Sequence, residues 1–127
     1  MSRWIVDGMN VIGSRPTGWW RDRPGAMRDF VEELEAFAGR GGEEVTVVLD
    51  GKPFDLEGDR VDVRFASRRG PDAADDDIAA LVAADTDAGG LRVVTSDADL
   101  ERRVREHGAE VEGAGAFRRR LDGLADG

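Results

Sequence analysis

Two hydrophobic periods alternate along this chain. The apolar run Trp4-Ile5-Val6 ends in Asp7 and predicts a strand over residues 3–7. Residues 13–24 are rich in turn formers and predict a loop, and Pro24 suits a helix start. From Gly25 to Gly39, Met27, Phe30, Val31, Leu34 and then Phe37 or Ala38 recur at helical spacing, and Gly39, Gly41 and Gly42 end that helix. The β-branched run 45–49 predicts a strand buried on both faces. After a loop over 51–60, alternation in Val61-Asp62-Val63-Arg64-Phe65 predicts a half-exposed strand. A helix from about Ala73 to Ala84, a strand over 91–95, a helix over about 98–107 stopped by Gly108, a short strand over 109–112 and an Arg-rich helix over 114–125 complete the pattern. Strands alternating with helices predict an α/β fold, one domain over residues 1–127 with a mainly parallel sheet covered on both faces.

Three of these strands run into a carboxylate. Asp7 opens Asp7-Gly8-Met9-Asn10, Val47-Val48-Leu49 leads into Asp50-Gly51, and Val93-Val94 leads through Thr95-Ser96 into Asp97. The carboxyl ends of parallel strands share one sheet edge, where ligands bind. Carboxylates gathered there form an oxygen-only site suited to a hard divalent cation. Asn10 adds an amide able to hold a carboxylate or a phosphate oxygen.

The run Asp72-Ala73-Ala74-Asp75-Asp76-Asp77 is divided by helix geometry. At about 100° per residue, Ile78, Leu81 and Val82 define the buried stripe, Asp75 lies nearest to it and Asp76 nearly opposite. Asp75 is therefore the acid expected at the sheet edge. The bland reading of the whole run is dipole-complementing acid at a helix start. Ser96 and Asp99 likewise fit a capping box, which accounts for Asp99 better than for Asp97.

Composition narrows the chemistry. There is no Cys, no Tyr, one His and one Lys, which removes thiolate chemistry and the usual zinc ligands, and the Gly-Lys-Ser/Thr of a phosphate loop is absent. The lack of cysteine suits a cytoplasmic protein. No apolar run is long enough for a membrane span. His107, before Gly108, reads as a structural helix-end residue. The net charge of −9 opposes broad nucleic-acid binding, yet 17 of the 18 basic residues are Arg, the better phosphate fork. Trp19 and Trp20, flanked by Arg15, Arg21 and Arg23, offer base stacking beside phosphate clamps; the alternative is a loop folded over the core. Arg68 and Arg69 are further candidate phosphate contacts, whereas Arg118, Arg119 and Arg120 read as a solvated face.

These residues together resemble the NYN family of the PIN-like ribonuclease superfamily, in particular its YacP-like branch. The resemblance rests on Ile5-Val6-Asp7-Gly8-Met9-Asn10-Val11-Ile12, Val47-Val48-Leu49-Asp50-Gly51, Ala74-Asp75-Asp76-Asp77-Ile78 and Val93-Val94-Thr95-Ser96-Asp97, in that order. Met9 departs from the aromatic residue common in this turn. The resemblance implies a three-layer α/β/α PIN-like fold and metal-dependent hydrolysis of RNA phosphodiester bonds, as an endonuclease, with Mg²⁺ or Mn²⁺ held by clustered acids. It carries catalytic roles to Asp7, Asn10, Asp75 and Asp97, and metal binding to Asp7, Asp50, Asp75 and Asp97, with Asp76 and Asp99 as outer candidates. RNA is the implied partner, and ribosome association a further expectation.

Two other enzyme classes fit poorly. A receiver-type phosphoacceptor needs a strand-end Lys, and the single Lys52 follows the second strand; a haloacid-dehalogenase-type phosphatase needs D-x-D where this chain has Asp7-Gly8-Met9. The remaining alternative is a non-catalytic RNA-binding or protein-interaction module, which the net negative charge favours.

Overall fold

The computed structural model describes residues 3–70 and 72–126. Five strands, β1 (Arg3–Asp7), β2 (Glu44–Leu49), β3 (Val61–Phe65), β4 (Leu91–Val94) and β5 (Glu110–Glu112), form one sheet in the order β3-β2-β1-β4-β5. Every pairing is parallel. The helices are α1 (Gly8–Ile12), α2 (Arg23–Gly41), α3 (Ala73–Ala84), α4 (Ala98–Arg105) and α5 (Ala114–Asp126).

Strand alternation divides the core in two. Trp4, Val6, Val47, Leu49 and Val94 face α1, α2 and α5, whereas Ile5, Val48 and Val93 face α3 and α4. This is the three-layer arrangement expected for strands buried on both faces. The connection from β2 to β3 contains no helix; Phe54 and Leu56 pack it onto the α2 side of the sheet. The Glu35 carboxylate fastens it by accepting from the backbone N–H groups of Asp59, Arg60 and Val61 at 2.7–2.8 Å.

Several details differ from the sequence pattern. Residues 8–12 form a helix that the pattern does not show, because five residues are too few for a 3.6-residue period to register. Burial of Val11 and Ile12 holds it in place. Helix α2 starts two residues earlier than its apolar pattern, because the Asp22 side chain caps it by accepting from Gly25 N–H at 3.1 Å. Arg118 is not solvated: it is 8% exposed and forms ion pairs with Glu33 of α2 and with Asp122. Packing of α5 against α2 puts this position inside the helix layer, where Glu33 compensates its charge. Arg120 is also engaged, with Glu112 at 2.7 Å.

Gly8 is the position where α1 meets the sheet. A Cβ there would lie 2.5 Å from Leu49 Cδ2 and 3.1 Å from the Val48 carbonyl oxygen. Gly8→Ala is expected to destabilise the fold by about 1–3 kcal/mol through overpacking. Urea denaturation checks this, and an unchanged midpoint would contradict the close approach.

Candidate active site

The chain leaves β1 towards β2 and β3 and then crosses back to β4, so the strand order reverses between β1 and β4. In open α/β sheets a crevice opens at this switch point, outside the carboxyl ends of the strands. Asp7, the last residue of β1, sits there at 4% exposure. It occupies the N-cap position of α1 without capping it. Its carboxylate instead accepts from Thr95 Oγ1 at 3.0 Å, and that same Oγ1 accepts from Asp97 N–H at 3.1 Å. Asn10 Oδ1 spans the crevice and accepts from Ser96 N–H at 2.8 Å, which leaves its amide NH₂ available.

Asp72, Asp75 and Asp97 each bring a carboxylate oxygen within 4.8 Å of the others. Asp75 stands in the first turn of α3 beside Asp76, and it is Asp75 that faces the other acids, the side on which the helical wheel puts it. Asp97 also caps α4, accepting from Leu100 N–H at 2.9 Å, so the cap is Asp97 and not the Ser96 of the expected box. Ser96 Oγ instead accepts from Ala114 N–H at 2.8 Å. Asp50 approaches from β2 and accepts from Ala74 N–H at 3.1 Å, tying the strand end to the start of α3.

Asp72 is the residue that sequence reasoning passed over. It adopts a left-handed backbone, φ 61° and ψ 15°, at the N-cap position of α3 without a side-chain cap bond. Aspartate tolerates this conformation better than most residues. The signal available was its place between the turn former Pro71 and the helix start, which by itself reads as ordinary dipole complementation.

Two carboxyls in the crevice hold their protons unusually tightly. Burial, first, pushes Asp7 up to about 7; the Thr95 hydrogen bond opposes the shift, and Asp75, Asp50 and Asp97 add to it. Burial also raises Asp75, to about 6, reinforced by Asp97, Asp72 and Asp50 and offset by Arg103. Burial, with like charges close by, produces this pattern, and a cation relieves it. The donor set is all carboxylate oxygen, which fits Mg²⁺ or Mn²⁺.

The other predicted acids lie apart from this cluster. Asp76 is held by Arg68 at 2.6 Å and Arg103 at 3.0 Å, and its carboxyl is lowered by them. Asp77 receives Ser67 Oγ at 2.7 Å. Asp99 pairs with Arg102 on the exposed face of α4.

The predicted RNA contacts divide similarly. The paired tryptophans split between the two readings: Trp19 packs onto the core, whereas Trp20 is 54% exposed, their rings in edge contact at 6.0 Å. Arg21 lies over Trp20 and Arg23 over Trp19. Arg15 is paired with Asp122 at 2.9 Å and Arg68 with Asp76, while Arg69 is exposed without a carboxylate partner among the described residues.

The fold has solved counterparts. A crystal structure of Rae1 (YacP) from Bacillus subtilis, a single-substitution mutant, superposes with a TM-score of 0.81 and 25% identity, over 99% of this chain and 78% of that one. A second crystal structure of Rae1 (YacP) from Bacillus subtilis gives a TM-score of 0.82 and 24% identity, over 99% and 76% of the two chains. No curated protein sequence matches the chain. The YacP-like NYN domain profile matches residues 4–126, so the chain belongs to the YacP-like NYN domain family, whose fold is that of the PIN-like ribonucleases.

Proposed function

We propose that this chain is a divalent-metal-dependent ribonuclease that cuts RNA internally by hydrolysis, with Asp7, Asp72, Asp75 and Asp97 holding the metal. The observation that carries this reading is the convergence of the buried Asp7, the half-buried Asp75 and Asp97 and the exposed Asp72, two of them with raised pKa values, at the switch point of a family ribonuclease fold. A bound Mg²⁺ or Mn²⁺ would supply positive charge at the reacting phosphate and ease ionisation of the attacking water. Thr95 keeps Asp7 and the Asp97 backbone in register through its shared hydroxyl. The free amide of Asn10 is positioned to donate to a phosphate oxygen. Asp50 supports the site by anchoring the start of α3.

Among the described residues no helix is long and apolar enough to cross a membrane. On this reading the setting is the cytoplasm, and the substrate pool is RNA, ribosome-bound RNA included. The exposed ring of Trp20, and Arg69 and Arg21, which have no carboxylate partner among the described residues, favour an RNA-facing role for these loops. The non-catalytic module is the weaker reading, because a purely structural cluster has no use for carboxyls held near neutrality without a counter-ion.

Circular and linear single-stranded RNAs, incubated with Mn²⁺, Mg²⁺ or EDTA, test the proposal. Linearisation of the circle in metal but not in EDTA is the expected result. Degradation confined to linear RNA would overturn the internal-cutting mode, and no metal-dependent degradation of either would favour the non-catalytic module.

The ligand set makes a second prediction. Asp72→Asn is expected to lower cleavage at limiting metal by roughly tenfold or more, whereas Asp99→Asn should leave it within about twofold. Rates measured across a Mn²⁺ titration separate the two, and a larger loss for Asp99→Asn would reverse the assignment.

A further inference from the structure

Several arginines near the carboxyl edge of the sheet are already bound to carboxylates. Arg68 and Arg103 share Asp76, and Arg15 holds Asp122. Arg23, the first residue of α2, is different. It is exposed and has no carboxylate partner among the described residues. Its guanidinium lies 5.5 Å from the centroid of the Trp19 ring. Its tip reaches across to β2: a Cβ added at Gly51 would stand 3.6 Å from Arg23 Nη2. Gly51 directly follows Asp50 and has φ +108°, a conformation that favours glycine, so the guanidinium stands beside bare backbone one residue from Asp50.

We propose that Arg23 is a phosphate-binding subsite for single-stranded RNA, placed at the rim of the acidic cluster and held in position by Trp19. This deepens the ribonuclease reading and rests on it for the identity of the ligand. A guanidinium held against an indole keeps its N–H edge free for two parallel bonds to a phosphate. It also offsets, at the point of entry, the repulsion between a polyanion and the acids behind it. The neighbouring Trp20 selects the form of the strand. It meets Trp19 edge-on and is 54% exposed, so a base adjoining the bound phosphate has an open aromatic face to stack on. Bases paired and stacked within a duplex cannot reach such a face.

The test is binding of a short, labelled, mixed-sequence single-stranded RNA, followed by fluorescence anisotropy across a NaCl series with Ca²⁺ present. Arg23→Ala is expected to weaken binding about tenfold, the scale of one charged hydrogen-bonded contact. It should also reduce the slope of log K against log salt by about 0.7, the share of one phosphate on a single strand. Arg23→Lys should restore the slope and only part of the affinity, because lysine keeps the charge and loses the fork. Arg40→Ala, in the last turn of α2, removes the same charge away from the crevice and should leave both quantities unchanged. Equal effects of Arg23→Ala and Arg40→Ala would overturn the proposal, as would a wild-type protein that does not bind the RNA. Cleavage is scored separately. Loss of binding in Arg23→Ala without wild-type cleavage would sink the nuclease reading and keep the subsite, whereas wild-type cleavage with a KM indifferent to Arg23→Ala would do the reverse.

Discussion

Asp7→Asn is expected to lose RNA cleavage by about 10³-fold, the several kcal/mol that metal-held charge contributes to the reaction, and at the same time to make the metal-free protein more stable. The two effects have one origin. At 4% exposure, with Asp75, Asp50 and Asp97 nearby, an ionised Asp7 destabilises the fold unless a cation lies beside it. Asparagine preserves the shape and can still accept from Thr95 Oγ1, but it carries no charge to repel the other acids. In EDTA at pH 8 the melting temperature should rise by at least ~3 °C. At pH 4, where the native Asp7 keeps its proton, the difference should vanish. Calorimetry at the two pH values, beside a cleavage assay, checks both halves. A mutant that is inactive and less stable at pH 8 would mean that Asp7 is a structural hydrogen-bonding residue.

The second large effect is the pH dependence of stability without metal. In the unfolded chain both Asp7 and Asp75 ionise near the ordinary value of 3.8, whereas in the fold they release their protons at about 7 and about 6. Between those limits the folded state binds more protons than the unfolded state, so stability falls as pH rises and levels off above about pH 7. Asp7 alone accounts for a loss on the order of 4 kcal/mol. Asp76 and Asp85, whose carboxyls are lowered by arginine partners, act in the opposite sense but only at more acid pH. Saturating Mn²⁺ at pH 8 should recover about 2.7 kcal/mol when present at a hundred times its dissociation constant. Urea titrations from pH 4 to pH 8, with EDTA and with Mn²⁺, give the profile. A flat profile in EDTA, or one that Mn²⁺ leaves unchanged at pH 8, would contradict an acid cluster held ready for a cation.

How much of this could be read from the chain depends on which residues set the position of each group. Asp7, Asp50 and Asp97 were visible because each ends a strand-like run, and a parallel sheet places such ends on one edge whatever the helices do. Asp75 followed from helical phase alone. Asp72 did not, because its place in the cluster depends on a left-handed φ, which is a property of the turn and not of the residue pattern. The partners of Asp76 come from the loop before α3 and from α4, so the arginines that withdraw it from the cluster are brought there by tertiary packing. Arg118 reads as solvent-facing within its own helix and becomes buried only because α5 lies against α2. Trp19 and Trp20 are adjacent and chemically alike, and only the turn at Trp19–Arg21 sends one ring to the core and the other to solvent.

On the proposed function, the clustered aspartates hold the divalent ion on which RNA cleavage depends. The most direct measurement is the rate of cleavage of a labelled single-stranded RNA as a function of Mn²⁺ concentration, for the wild type and for Asp75→Asn. A saturable rise is expected for the wild type, abolished by EDTA, and a curve for Asp75→Asn that is shifted to much higher Mn²⁺ or absent. Cleavage that persists in EDTA, or superimposable curves for the two proteins, would contradict the proposed function.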